Sequence, residues 1–246
     1  MYEKKKKILI LIPARLSSTR LPNKVIKLIN GKPLIVLVAE RAKKFEIGKV
    51  VVASGNKKIC SILNNYSIES YLTKKKHVSG TDRIFEIYDN FFKGYDLIVN
   101  LQGDVPYFEK NLIEDTLDIM NDPKVEIGTA ACKLQGTEVE DENIVKVKSV
   151  LNKQNQGYCT DFKRIIKKTT NFYHHIGIYV YTAKSLKKFI GLRPTENEKK
   201  RSLEQMRGLD NKMILKMKLV DHSPIGVDTI KDLKKIREKF KKNENL

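Results

Sequence analysis

Arg15, Arg20 and Lys24 put three cations on one short stretch, among the small hydroxyls Ser17, Ser18 and Thr19. Guanidinium forks match phosphate oxygens two at a time, and an ammonium adds a point charge, so this loop suits a polyphosphate. A solvated surface loop is the plainer alternative. Two carboxylates extend the chemistry. Asp104 closes the stretch Asn100-Leu101-Gln102-Gly103-Asp104, and Asp228 stands in Gly226-Val227-Asp228-Thr229. Magnesium takes one or two carboxylates and leaves its other positions to phosphate oxygens and water, so both aspartates are candidate magnesium ligands. Aspartates after strands also serve as turn or cap residues, and at 228–229 either Asp228 or Thr229 can be an N-cap.

Two further stretches carry polar groups of the right kinds. Val78-Ser79-Gly80-Thr81-Asp82-Arg83 opens a helix, where spare backbone N–H groups and little bulk suit a base or sugar, or simply a cap. His174 and His175 begin the strand HHIGIYVY, on which neighbours face opposite ways, so only one histidine can enter a given site. A structural histidine is the commoner outcome. Ser202-Leu203-Glu204-Gln205-Met206-Arg207 starts another helix, where Glu204 and Gln205 can be plain helix-start polar residues. No HExxH spacing suggests zinc. Neither G-x-x-x-x-G-K-[ST] nor G-x-G-x-x-G occurs, so any phosphate site rests on the cationic loop.

These residues need a frame that brings them to one edge. The apolar runs at Ile8–Ile12, Lys49–Ala53 and 96–101 read as buried strands. Helical spacing follows from Pro33, with Leu34, Leu37, Val38, Ala42 and Phe45 on one face, then over 81–92 and 109–120. Strands alternating with helices predict an α/β fold with a mostly parallel, doubly wound sheet, whose ligands sit at the carboxyl edge. After residue 126 the pattern turns β-rich, with strands expected at 126–134, 144–150, 174–181 and 212–220 and a hairpin loop at Asn152–Gly157. A final amphipathic helix spans 231–240. One domain is expected over 1–246, with a β-rich excursion at about 126–175 serving as a subdomain or dimer contact.

The net charge of +19 invites a nucleic-acid hypothesis, but only nine of the 48 basic residues are arginine. The lysines are dispersed over helix faces and loops, including Lys74 to Lys76, without an aromatic-studded basic stripe, so nucleic acid is not the expected partner. The field still draws in anions. Cys60, Cys132 and Cys159 lie far apart and form no C-x-x-C pair, which argues against a zinc site or disulfide framework. No apolar run approaches a membrane span and MYEKKKK lacks a signal-peptide core, so a cytoplasmic protein without membrane insertion is expected.

Taken together the motifs resemble the 3-deoxy-manno-octulosonate (Kdo) cytidylyltransferases. IPAR, STRLP with Lys24, NGKP at 30–33, SGTDR at 79–83, NLQGD at 100–104, HIGIY at 175–179, SLEQMR at 202–207 and GVDT at 226–229 occur in order along nearly the whole chain. The resemblance implies a Rossmann-like nucleotidyltransferase fold, a homodimer, and CMP transfer from CTP to the anomeric hydroxyl of an ulosonic acid, for lipopolysaccharide or capsule synthesis. It assigns Arg15, Arg20 and Lys24 to the CTP phosphates, with the Pro13-Ala14 backbone near the nucleotide. Ser79, Gly80, Thr81 and Arg83 are placed around the cytidine, Asp104 and Asp228 on Mg2+, and Gln102, His175, Glu204 and Gln205 on the sugar acid. Arg15, Lys24, Asp104 and Asp228 form the catalytic set.

Departures from the family pattern are confined to a few positions. Ala53-Ser54-Gly55 stands where the family has A-T-D, Val105 follows QGD in place of an acid, and His174 replaces an arginine. The stretch between Gly157-Tyr158 and HIGIY is short: Phe162 and Arg164 echo F-S-R, but Lys163 replaces the serine. That stretch shapes the sugar side, so an amino-Kdo, a sialic- or legionaminic-type acid, or another base, remains a rival reading within enzymes. A non-catalytic nucleotide- or nucleic-acid-binding descendant is the rival from another class, and it would be expected to have lost Asp104 or Asp228.

Overall fold

The structure, a computed structural model, describes residues 6–18, 20–74 and 77–242. Thr19 of the basic loop and Lys75 and Lys76 of the lysine run lie outside the described residues. The strands are β1 (Ile8–Ala14), β2 (Leu28–Ile29), β3 (Lys32–Pro33), β4 (Lys49–Ser54), β5 (Ser70–Leu72), β6 (Leu97–Asn100), β7 (Ile127–Cys132), β8 (Lys146–Ser149), β9 (Gln156–Lys163), β10 (Phe172–Thr182) and β11 (Leu215–Leu219). The helices are α1 (Leu34–Lys44), α2 (Lys57–Asn64), α3 (Gly80–Phe91), α4 (Lys110–Asp118), α5 (Ala183–Gly191), α6 (Glu196–Arg201), α7 (Met206–Asp210) and α8 (Ile230–Lys242). They form two compact units. The first holds the described residues of Met1–Asp96, Asn100–Lys110 and Pro224–Leu246; the second is Leu97–Val99 with Asn111–Ser223.

In the first unit β1 and β4 pair in parallel, from Leu9 opposite Lys49 to Ala14 opposite Ser54, and β5 adds in parallel along β4. Leu9 to Ile12 and Val51 to Ala53 have no exposed surface, as expected of parallel strands covered on both faces. Asn30 and Gly31 both take positive φ (46° and 77°), the backbone that a two-residue turn between β2 and β3 demands. The amphipathic face expected of the last helix is real: Leu233, Ile236 and Phe240 of α8 pack with Leu21, Ile29, Leu34 and Val227 in one buried cluster. That cluster fixes the two ends of the chain's first unit against each other, Leu21 from the basic loop and Val227 from GVDT.

The second unit contains the segment 126–175 and extends to residue 223. Its pairing is mixed: β7 runs antiparallel to β10 and parallel to β11, β9 is antiparallel to β11 and β8, and β8 also meets β10. Asn155 at φ 57° turns the β8–β9 hairpin. Lys146 is fully buried, and its ammonium donates to the carbonyls of Asp141 (2.7 Å) and Arg164 (2.6 Å). Burial lowers its pKa, and the two carbonyls supply what water would. In this way one lysine ties the loop before β8 to the chain leaving β9.

Candidate active site

Every residue of the candidate pocket belongs to the first unit. β1 ends at Ala14, and the basic loop then folds back on itself: Asn23 N–H donates to the Leu16 carbonyl (3.3 Å) and Leu21 is buried. Asn23 takes a left-handed conformation (φ 57°) and starts a single 3₁₀ turn, Lys24–Ile26, which sets Lys24 inward. The second wall arrives with the stretch after β6. Leu101 N–H donates to the Leu11 carbonyl (3.0 Å), so Gln102-Gly103-Asp104 runs beside the end of β1. The third is GVDT, held because Val227 N–H donates to the Asp104 carbonyl (2.9 Å).

Gly103 is the point where side-chain absence matters. A Cβ there would lie 2.8 Å from the Pro13 carbonyl oxygen and 3.0 Å from Ile35 Cδ1. Backbone cannot yield as a flexible side chain does, so Gly103→Ala is expected to cost about 1–3 kcal/mol of stability by overpacking. It should also displace Asp104 and lower turnover. Urea unfolding followed beside steady-state rates checks both, and a variant as stable and active as the parent would contradict the close approach.

The carboxylates of Asp104 and Asp228, far apart in sequence, converge on one positive point. Lys24 Nζ donates to Asp104 Oδ2 at 2.6 Å and to Asp228 Oδ1 at 2.8 Å, and Arg20 Nη2 lies 3.1 Å from the same Asp228 oxygen. Burial opposes the charge on Lys24, but the two carboxylates outweigh it and hold its pKa above the ordinary 10.5. The capping question at 228–229 has a definite answer. Asp232 Oδ2 accepts from the Asp228 and Thr229 amides, and Asp232 N–H donates to Thr229 Oγ1. Thr229 is therefore the cap of α8, which leaves the Asp228 carboxylate to the cations. Ser79 and Asp82 make the same reciprocal box at the start of α3.

The resulting cavity measures about 720 Å³, within the roughly 300–1,000 Å³ usual for small-molecule sites. Of the expected residues, Pro13, Ala14, Arg15, Arg20, Lys24, Ser79, Gly80, Arg83, Gln102, Asp104 and Asp228 all line it. Thr81 does not; it is buried and its hydroxyl accepts from Asn100 Nδ2 (3.3 Å), bracing α3 against the end of β6. Arg83 is also buried, with Nη1 bonded to Thr73 Oγ1. A Cβ on Gly55 would meet this guanidinium at 2.6 Å, so the absence of a side chain at 55 makes its room. Desolvation, then the charge of Arg15, lowers the Arg83 pKa while Glu86 opposes them. Two arginines that repel each other at one pocket are what an anionic guest relieves. His77 lines the same cavity and was not singled out by any motif.

His175, Glu204 and Gln205 belong to the second unit. His175 is buried; its Nε2 lies 3.0 Å from Thr129 Oγ1, and its ring packs on Phe162 (5.0 Å) and Tyr179 (5.6 Å). Thr129 Oγ1 donates to the Ile178 carbonyl (2.7 Å), so it accepts from His175 Nε2–H. Burial first, and His174 second, push the His175 pKa down to about 3, so the ring is neutral at physiological pH. His174 faces the other way and meets Glu138 at 3.0 Å, the alternation expected on a strand. Burial, with Tyr181 and Glu204 nearby, also raises the Tyr179 pKa. Glu204 and Gln205 precede α7 in a turn braced by a buried Arg207–Glu198 pair at 2.6 Å.

Comparison with known proteins supplies the family. A family model for cytidylyltransferases matches residues 9–219. The 3-deoxy-manno-octulosonate cytidylyltransferase of Bartonella bacilliformis is 39% identical over 237 residues, covering 94% of this chain and 98% of that protein. The enzyme of the same name from Sinorhizobium medicae is 36% identical over 239 residues, covering 94% of each. Among solved structures, a CMP:2-keto-3-deoxy-manno-octonic acid synthetase complexed with CTP superposes with a TM-score of 0.87 at 31% identity, covering 97% of this chain and 100% of that one. The architecture is thus the mixed α/β nucleotidyltransferase fold. A cationic pocket, two converging carboxylates and relatives alike over almost their full length lead to one conclusion: this chain belongs to the cytidylyltransferases, within the 3-deoxy-manno-octulosonate cytidylyltransferase family.

Proposed function

We propose that this enzyme transfers CMP from CTP to the anomeric hydroxyl of Kdo, releases pyrophosphate, and depends on Mg2+. The observation that carries the reading is the convergence of Asp104 and Asp228 on Lys24 Nζ within a pocket that also holds Arg15, Arg20 and Arg83. Two carboxylates that already share one cation are suited to a dication, and magnesium needs no more than two. The lining holds four cations, Arg15, Arg20, Lys24 and Arg83, against two carboxylates. With a dication added, the surplus of positive charge equals the roughly four negative charges of a triphosphate.

The residues then divide the work. Arg15 and Arg20 bind and orient the phosphates, and Lys24 neutralises charge that builds on the transferring and leaving oxygens. Asp104 and Asp228 would hold Mg2+, which would supply Lewis-acid stabilisation of the phosphoryl oxygens. Ser79, Gly80 and Arg83 seat the cytidine. Gln102, His175, Glu204 and Gln205 are the sugar contacts that the family resemblance implies; the anomeric oxygen attacks the α-phosphorus in line and pyrophosphate departs. The neutral His175, donating through Nε2 to Thr129, keeps a lone pair on Nδ1 for a sugar hydroxyl.

Work as a homodimer in the cytoplasm completes the reading; no helix among the described residues is long and apolar enough to cross a membrane. A sugar panel tests the acceptor. Pyrophosphate release from CTP should be fastest with Kdo, slower with 8-amino-Kdo and slowest with nonulosonic acids. A nonulosonic acid used best would overturn the choice of sugar and leave the nucleotide half standing.

A further inference from the structure

His77 stands on the rim of the nucleotide pocket, beside Ser79, Gly80 and Arg83, with a side chain only 14% exposed. Its Nε2 lies 2.6 Å from Glu86 Oε2. The other oxygen of Glu86 accepts the Lys74 backbone N–H at 2.7 Å, so both oxygens are engaged. A carboxylate only accepts, so the hydrogen between the two side chains belongs to His77 Nε2. In the neutral ring Nδ1 is then left with a lone pair. His77 lines the pocket, and Nδ1 is the ring nitrogen that the Glu86 contact leaves available to it.

A fixed acceptor at that point distinguishes two nucleotides. Cytosine carries an amino donor at C4, where uracil carries a carbonyl acceptor. We propose that His77, its tautomer set by Glu86, accepts a hydrogen bond from the cytosine 4-amino group and makes the pocket select CTP over UTP. Arg83 completes the match. Its guanidinium spends one donor on Thr73 and has others for the O2 and N3 acceptors of cytosine, whereas uracil turns a donor toward it at N3. His77 is a binding residue in this scheme and Glu86 a positioning residue. The inference rests on the CTP reading above, and its test separates the two.

The test is calorimetric binding of CTP and of UTP to the wild type, His77→Gln and Glu86→Gln, with thermal melting to check folding. In His77→Gln the new amide still donates to Glu86 but has no atom where Nδ1 was. The preference for CTP over UTP should fall by roughly ten- to a hundredfold. In Glu86→Gln the amide oxygen is needed by the Lys74 N–H, so its NH2 group faces Nε2 and the ring must move its hydrogen to Nδ1. A donor at Nδ1 meets the uracil carbonyl well and the cytosine amino group badly, so the preference should fall further still. A merely structural role, or a contact to phosphate, would weaken both nucleotides equally; either result, or an unchanged ratio, overturns the inference. Should one variant fail to fold, the other decides. A wild type that binds neither nucleotide would instead overturn the CTP reading, and one that binds both equally would overturn the selectivity alone.

Discussion

Asp104→Asn is expected to lower the rate of CMP transfer by at least about two orders of magnitude, the scale of losing one strong transition-state stabiliser. The substitution keeps the size of the side chain and removes only its charge. Asp104 is the closer of the two carboxylates to Lys24, at 2.6 Å, and the less exposed. Its loss leaves Asp228 alone to hold a dication, while Arg15, Arg20 and Lys24 still attract the triphosphate. The effect should therefore fall on kcat, with CTP affinity changed far less. Steady-state kinetics beside equilibrium CTP binding reads the split. A near-normal kcat would remove Asp104 from the metal site.

Lys24→Met carries the second large effect, through a different route. It deletes a cation that touches both carboxylates, so a fall in kcat/KM of about a hundredfold or more is expected. Stability should fall as well, by roughly 1–3 kcal/mol. That is less than the loss typical of a fully buried pair, because Asp228 is nearly half exposed and solvent screens it. The pH dependence has a fixed sign. The folded pKa of Lys24 lies above its ordinary 10.5, so its contribution is complete below that value and is lost only as pH rises through the folded pKa. The variant and parent should thus differ in stability by a constant amount across neutral pH and converge in strong alkali. The variant should also bind Mn2+ more tightly than the parent without nucleotide, since two carboxylates lose their resident partner. Chemical denaturation and a metal titration read these quantities; a variant of unaltered stability and metal affinity would contradict the bridging role.

The parts of the fold legible in sequence are those whose burial is continuous. β1, β4 and β6 are unbroken apolar runs, and α8 repeats its apolar residues at helical spacing, so each announces its environment locally. Of the elements that escaped, α2, β5 and α6 are short or poor in buried side chains, while β9 and α5 interleave their buried residues with polar ones. α2 buries only Ile59 and Leu63, β5 is three residues with no buried position, and α6, ENEKKR, buries none. A signal for α6 did exist: Thr195 with Glu198 is a capping box three residues apart, masked by the charge run that follows. That helix ends at Ser202 in a left-handed conformation, so the helix expected from SLEQMR begins only at Met206.

The candidate site was legible one wall at a time. Strand ends, cations and carboxylates carry their own chemistry, and their placement in motifs made them visible. What joins them does not: the Val227–Asp104 backbone bond and the Leu21–Val227 contact span half of the chain or more and leave no local trace. His77 was missed for a related reason. Its meaning comes from Glu86, which reaches it from the next helix turn at a spacing that belongs to no helix or strand period. Gly55 read as a departure from a family pattern, and only the structure shows that the missing side chain leaves room for the Arg83 guanidinium.

The most direct test is a product balance on the wild-type enzyme with CTP, Kdo and Mg2+, followed by mass spectrometry. The expected result is one CMP–Kdo ester for each pyrophosphate released, with neither formed when EDTA removes the metal. CTP consumed to CMP without a sugar ester, or an ester formed at full rate in EDTA, would contradict the account.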